Sequence, residues 1–307
     1  MLPVRVFITG GTGFVGTNLT NRLVQQGHEV TVLTRAIHKE AALPTGASFL
    51  EGDPTREGNW QQSVAEHEVI INLAGASIFR RWTRNAKAAI RDSRILTTRN
   101  LVRALSAREG KDTHFFSTSA VGYYGFHGDE ELDESSPPGD DFLASLCKEW
   151  ESEALEADRL GVDVVLCRFG IVLGQKGGAL EKILAPFRWY LGSPLGSGRQ
   201  WFSWIHEQDL INIYLFLINR KGISGPLNFT APCPVRNRDL TRILGEVLDK
   251  PTFMPSVPGF MLKLSMGEFG AVLLKGQKVT PKRLSDAAFQ FEFPDIRGAL
   301  QNILIRR

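Results

Sequence analysis

A glycine-spaced turn joins the first apolar run of this chain to its first helical one: Phe7-Ile8-Thr9-Gly10-Gly11-Thr12-Gly13-Phe14-Val15-Gly16. Val4, Val6 and Ile8 alternate as a strand does, and Phe14, Val15, Leu19, Leu23 and Val24 recur at helical spacing. Gly10, Gly13 and Gly16 supply a tight turn, a close backbone approach and close packing of helix on sheet. The N–H groups around Thr12, Phe14 and Val15 are then left to meet a pyrophosphate. A Gly-x-x-Gly-x-x-Gly also occurs in loops that only turn the chain. Placed after a first strand and before a second, it marks a dinucleotide site.

The rest of the first half repeats that rhythm. Gly27 closes the first helix, and Glu29–Arg35, Ser48–Asp53, Val69–Gly75, His114–Ala120 and Val162–Gly170 read as further strands. Helical stretches lie between them, notably Asn85–Ala107 and Asp141–Arg159. Short apolar runs alternating with helices predict an α/β fold: a Rossmann-type, doubly wound parallel sheet. Beyond Gly170 a glycine-rich tract brackets a helix at Ala179–Leu191. Helices at Gln208–Asn219, Arg236–Asp249, Gly259–Leu274 and Asp295–Leu304 and a strand at Pro226–Ala231 follow. We therefore expect a cofactor lobe over residues 1–170, to which the chain returns around 204–231. A smaller mixed α/β substrate lobe should span 171–307. Ligands should sit at the carboxyl ends of the strands.

Composition narrows the functional classes. With 36 Lys+Arg against 33 Asp+Glu the formal charge is only +3, and no basic face argues for nucleic acid. The basic cluster Arg80, Arg81, Arg84 and Lys87 reads as an anion-facing loop or a solvated helix start. Cys147, Cys167 and Cys233 are scattered, and neither they nor the six histidines show metal-ligand spacing; no metal and a reducing cytoplasm are expected. The first strand follows directly on Met1-Leu2-Pro3, leaving no room for a signal peptide. The apolar stretches Ile211–Ile218 and Phe260–Leu274 are too short or interrupted for a membrane span and read as core-facing helices.

The second strand ends Leu33-Thr34-Arg35, with no acid to accept ribose hydroxyls. Arg35 offers a fork of donors to a 2′-phosphate and Thr34 a hydroxyl beside it, so NADP(H) is the expected cofactor, dual use remaining open. Leu73, Ala74 and Gly75 lie where its backbone would pass, and Asp53 stands where it could meet the adenine.

These features resemble an extended short-chain dehydrogenase/reductase. The glycine turn, the helix Ser93-Arg94-Ile95-Leu96-Thr97-Thr98-Arg99-Asn100-Leu101, Ser117-Thr118-Ser119 before a Tyr-Gly loop, and Trp204-Ile205-His206-Glu207-Gln208-Asp209-Leu210 match that pattern. More narrowly, Arg81-Trp82-Thr83, Gly122-Tyr123-Tyr124-Gly125, Trp150-Glu151, Gly196-Ser197-Gly198-Arg199-Gln200 and Pro281-Lys282-Arg283-Leu284 with Phe289 resemble its atypical epimerase-family group, described as nucleoside-diphosphate-sugar-epimerase-like or cell-division-inhibitor-like. The last segment is similar to that group's C-terminal region, about residues 250–305.

The resemblance implies NADP(H) binding but also exposes a departure. Typical members carry Tyr-x-x-x-Lys on the helix after the fifth strand, where the lysine lowers the tyrosine pKa. Aligning on Lys148 puts Ala144 at the tyrosine; aligning on Glu151 puts Cys147 at the lysine and Leu143 at the tyrosine. Either Tyr123 or Tyr124 supplies the acid/base group with Ser119, or the tyrosine pair only packs or walls a pocket. For substrate, Arg188, Trp204 and His206 are candidates, with Arg283 a further anion contact. Where the family holds a diphosphate with an arginine before Ile-His, this chain has Trp201-Phe202-Ser203-Trp204, and Arg199 takes that role only if two residues are inserted.

Three functions compete: NADP(H)-dependent epimerase or oxidoreductase chemistry on a small sugar-like or hydroxyl- or carbonyl-bearing substrate; a non-catalytic, cell-division-related NADP(H)-binding regulator; and flavin or quinone reduction. The helices after the fourth and fifth strands could form a dimer face, leaving monomer or homodimer.

Overall fold

The computed structural model describes residues 3–37, 44–108, 112–175, 177–220 and 222–305. From the amino end the chain runs β1 (Arg5–Thr9), α1 (Phe14–Gln25), β2 (Glu29–Thr34), β3 (Ala47–Glu51), α2 (Trp60–Val64), β4 (Val69–Asn72), α3 (Arg84–Leu105), β5 (His114–Ala120), β6 (Glu131–Leu132), α4 (Phe142–Leu155) and β7 (Asp163–Phe169). There follow β8 (Ile171–Leu173), α5 (Gly178–Arg188), β9 (Trp201–Phe202), β10 (Trp204–His206), α6 (Glu207–Ile218), β11 (Gly225–Phe229), β12 (Val235–Arg236), α7 (Asn237–Leu248), α8 (Gly259–Met266), α9 (Glu268–Val272), β13 (Lys278–Val279), α10 (Lys282–Asp286) and α11 (Ile296–Ile305). Met1 and Leu2, which bear on the expectation about a leader, lie outside the described residues.

Seven strands form one parallel sheet in the order β11-β7-β5-β4-β1-β2-β3. Helices cover both faces, so the central strands are apolar without alternation: Val6, Phe7, Ile8, Val69, Ile70 and Ile71 are all sealed. On one face Val6, Ile8, Val30 and Val32 pack under Leu19 and Leu23 of α1 and Leu210, Ile213 and Tyr214 of α6. On the other, Phe7, Leu33, Ile70 and Phe115 pack under Trp60 of α2 and Leu101 and Leu105 of α3. Because β2 and β4 flank β1, the connections leave it in opposite directions and open a crevice at the carboxyl ends. β11 lies beside β7 in parallel register, from Gly225 opposite Val165 to Phe229 opposite Phe169.

The later elements build a second core. Leu173, Leu180, Phe187, Trp204, Leu240, Leu244, Ile296 and Leu300 bring β8, α5, β10, α7 and α11 together. One expectation fails here. Gly259–Leu274 is two helices, broken at Gly267 with φ of 63°, and α8 buries none of its residues. Its Phe260 and Leu264 are 70% and 77% exposed, so the apolar run is not a core helix. α9 instead packs on the segment that leads into α3: Phe269 is buried against Phe79 and Trp82, and Glu268 pairs with Lys87 at the start of α3. Among the described residues no helix is long and apolar enough to cross a membrane.

Candidate functional site

The glycine turn sits at the centre of the crevice. Gly10 has φ of +72°, and a Cβ there would stand 2.7 Å from the carbonyl carbon of Leu73. A Cβ on Gly16 would stand 2.2 Å from the Gly10 carbonyl oxygen. Both clashes are with backbone, which cannot step aside, so glycine is required at each. The N-cap of α1 is Gly13, with no side-chain cap. Thr12 and Gly13 are exposed, while the Phe14 ring lies under the loop of Gly174, Gly177 and Gly178. Glu207 locks that loop, accepting from the Gln175 N–H and from Asn18 of α1.

At the tip of β2, Arg35 is exposed and Thr34 donates its hydroxyl to the Ala36 carbonyl at 3.0 Å. Asp53 lies near Arg35. Burial opposes its ionisation, but hydrogen bonds from Thr55 and the charges of Arg56 and Arg35 outweigh that and hold it below the usual carboxylate range. Leu73 and Ala74 continue from β4 across the face of Gly10, and Gly75 follows beside the Arg94 guanidinium.

The tip of β5 differs from expectation. Ser119 is buried and donates to Glu151 of α4 at 2.6 Å. Glu151 also takes two hydrogen bonds of 2.8 Å from Arg168 of β7, a forked pair with both side chains almost wholly enclosed. Arg168 donates to the Tyr124 hydroxyl at 3.0 Å, and Tyr124 donates to Asn228 of β11 at 2.7 Å. Glu134 accepts from the backbone N–H of Asn228 and of Arg283, tying the chain into the C-terminal segment. Tyr124 has no exposed surface, and burial pushes its phenol up to about 12. Its hydroxyl is thus committed to Arg168 and Asn228 inside the fold, not presented to a ligand as its candidacy supposes. Ser119 is likewise committed to Glu151. Tyr123 is different: it is partly exposed, its ring packs 3.5 Å from the Arg168 guanidinium, and its hydroxyl makes no hydrogen bond among the described residues.

On α4, Cys147 is fully buried near Ser119, and burial pushes its thiol up to about 12. Leu143 packs against Gly122 at the mouth of the tyrosine loop. Lys148 is exposed on the outer side of the helix, and Ala144 is buried. Leu143 and Cys147, which align with the tyrosine and lysine of typical members, thus carry neither a phenol nor an ammonium.

The substrate candidates scatter. Trp204 is sealed in the second core and donates its indole N–H to the Cys233 carbonyl at 3.0 Å, a structural role. His206 caps α6, accepting from the Gln208 N–H, and its ring lies 3.9 Å from that of Phe293. Arg188 is exposed beside Gly174, Gly177 and Ile303 in a surface recess. Arg283 donates to the carbonyls of Ser224 and Pro226 rather than facing an anion. These groups do not converge. Arg94 of α3, by contrast, lies against Gly75 and Cys147. Its place in the sequence gave a signal: it shares a helix face with Ile90, Thr98 and Leu101, all buried.

Residues 6–228 match the model of the "NAD dependent epimerase/dehydratase family", and residues 257–303 match a "Domain of unknown function (DUF1731)". The chain is 40% identical over 301 residues to "Epimerase family protein SDR39U1 homolog, chloroplastic" of Arabidopsis thaliana, covering 97% of this chain and 86% of that one. It is 37% identical over 306 residues to "Epimerase family protein YfhF" of Bacillus subtilis, covering 99% of each. Among solved structures, the human epimerase family protein SDR39U1 (isoform2) with NADPH superposes with a TM-score of 0.85 at 33% identity. That match covers 99% of this chain and 100% of that one.

Proposed function

The chain belongs to the NAD dependent epimerase/dehydratase family, and from that premise we propose that it binds NADP(H) in the crevice and works on a small hydroxyl- or carbonyl-bearing, sugar-like substrate. The observation that carries this reading is the glycine turn, so close-packed that a Cβ on Gly10 or Gly16 would strike backbone, beside an α1 start that no side chain caps. Arg35, exposed at the tip of β2 with no acid on that strand end, supports the phosphorylated form of the coenzyme. The human relative, solved with NADPH, points the same way. In this reading residues 1–170, with β11, hold the coenzyme and residues 171–307 form the substrate lobe.

NADP(H), when bound, supplies or accepts hydride. The glycine turn holds its diphosphate, with Thr12, Phe14 and Val15 presenting backbone, and Thr34 and Arg35 take the 2′-phosphate. Leu73, Ala74 and Gly75 give it passage toward β5. Tyr123 is the phenol best placed to exchange a proton with substrate, since of the two tyrosines it alone is partly exposed, its ring resting on the Arg168 guanidinium. A second reading, a binding protein that does no chemistry, draws on a specific observation: Ser119 and Tyr124 are locked in a buried network, and Leu143 and Cys147 stand where typical members align their tyrosine and lysine.

Calorimetry with NADPH and NADH tests the premise. Wild type should prefer NADPH, and Arg35→Ala should weaken NADPH by about 10- to 100-fold, the range of one charged hydrogen-bonded contact, with NADH unaffected. An unchanged preference in Arg35→Ala refutes the assignment. Nicotinamide absorbance across a panel of carbonyls and alcohols separates the two readings, with Tyr123→Phe expected to abolish turnover while leaving NADPH affinity intact.

A further inference from the structure

Arg94 is a half-buried cation with no anionic partner among the described residues. One nitrogen of its guanidinium, Nη1, donates to the Ala76 carbonyl at 3.0 Å and to the Ile90 carbonyl at 2.9 Å. Its Nε and second terminal nitrogen make no hydrogen bond among those residues. The Trp150 ring lies 5.2 Å from the guanidinium carbon, and Cys147 lies close by. On its remaining side the cover is Gly75, itself exposed, where a Cβ would stand 3.0 Å from that carbon. Burial lowers the pKa of Arg94 below its ordinary value. A fold that encloses a charge normally supplies a counter-charge or a full set of acceptors. Here the acceptors are incomplete, and the opening points to where they come from.

The strand order says what passes Gly75. Thr34 and Arg35 stand at the tip of β2 and the diphosphate cradle at that of β1. The Leu73–Ala74 backbone touches that cradle at the tip of β4. A dinucleotide anchored by its 2′-phosphate at β2 and its diphosphate at β1 therefore brings its second ribose to β4, over Gly75. A ribose carries two adjacent hydroxyls that a guanidinium fork can meet together. Resting on the NADP(H) reading above, we infer that Arg94 anchors the nicotinamide-side ribose through its free nitrogens. The positive charge at this point of the crevice is then delivered from α3, which accounts for a buried, neutral Cys147 on α4.

Three probes read the claim by calorimetry: NADPH, 2′-phospho-ADP-ribose, which retains both riboses, and 2′,5′-ADP, which retains only the adenosine end. Arg94→Met should weaken the first two by tenfold or more and leave 2′,5′-ADP within twofold of wild type. Uniform weakening of all three would mark Arg94 as structural, and no weakening would leave it idle; either outcome overturns the inference. If Arg94→Met does not fold, Arg94→Lys carries the same comparison, since a point charge replaces the fork: selective loss for the two diribose probes supports the role, and an unchanged or uniform profile overturns it. Wild-type protein that binds none of the probes would instead refute the NADP(H) reading itself, and this anchor with it.

Discussion

Two arginines meet α4 within about a turn of each other, and they are treated in opposite ways. Arg168 reaches it from β7 and finds Glu151, which it grips with two hydrogen bonds, with the Tyr124 hydroxyl as a further acceptor. Its guanidinium is held more strongly basic than usual despite burial, because Glu151 outweighs the desolvation. Arg94 reaches α4 from α3 and finds a thiol and an indole face. The first region is saturated, its donors and acceptors matched from Ser119 through to Glu134. The second is half-built. A saturated polar network fixes a fold, whereas an unfinished one at the edge of a crevice leaves room for a ligand to finish it.

If that distinction is right, the two sites respond differently to losing a charge. Glu151→Ala strands Arg168 in a buried site and should cost about 3–5 kcal/mol, the usual penalty for breaking a buried pair. Arg94→Met should change stability by only about 1 kcal/mol, since two lost bonds to carbonyls are offset by relief of a poorly solvated charge. Urea unfolding of the ligand-free proteins measures both. Equal losses would erase the comparison.

The contrast between the regions also shows what the sequence could and could not convey. The parallel sheet and its glycine turn were legible, because buried strands must be apolar and because backbone clashes at Gly10 and Gly16 admit nothing else. The tyrosine pair was legible only as a pair. Nothing in Gly122-Tyr123-Tyr124-Gly125 says which ring turns inward, since that is decided by Asn228 and Arg168, distant in sequence. Trp204 misled for a related reason: an aromatic after a glycine-rich loop suits a ligand face, yet its partners on α7 and α11 claim it. α8 misled in the other direction, its apolar residues facing outward beyond a break at Gly267. Arg94 and Glu151 were readable in principle. Each is a charge on the buried stripe of its helix, Glu151 sharing its face with Ala144, Cys147 and Ala154. Such a charge demands a partner, and spacing alone does not reveal whether the partner is protein or ligand.

Alkali sharpens the account of the saturated region. The unfolded chain releases a tyrosine proton near its ordinary value of about 10, whereas Tyr124 in the fold holds its proton to about 12. Its contribution is therefore fully present below about pH 10 and is lost as pH rises through about 12, because the unfolded state gives up the proton first. At about 1.4 kcal/mol per unit, the span is worth about 2–3 kcal/mol. Tyr124→Phe removes this slope, while the other buried tyrosine and thiols with raised values, Tyr214, Cys147 and Cys167, remain in both proteins and cancel. Stability measured from pH 9 to 11.5 should fall less steeply in the variant. Parallel curves would mean that Tyr124 is reached by solvent after all.

The smallest effect is expected at Gly75, where the unfinished region can be disturbed without removing a charge. An alanine there would put its Cβ 3.0 Å from the Arg94 guanidinium carbon and about as near both terminal nitrogens. That crowding is mild, and the guanidinium, at the end of a long side chain, can yield by a few tenths of an ångström. Folding should therefore be nearly untouched, within the ±0.5 kcal/mol or so typical of surface positions. A methyl group on the crevice side would stand between Arg94 and whatever lies over residue 75, however. NADPH affinity should drop by a few fold in Gly75→Ala, and 2′,5′-ADP affinity should not change. The same methyl group placed in Arg94→Met should cost much less, because the bond it obstructs is already gone. Independent, additive losses in the double variant would show that Gly75 serves only to let the coenzyme's own backbone pass.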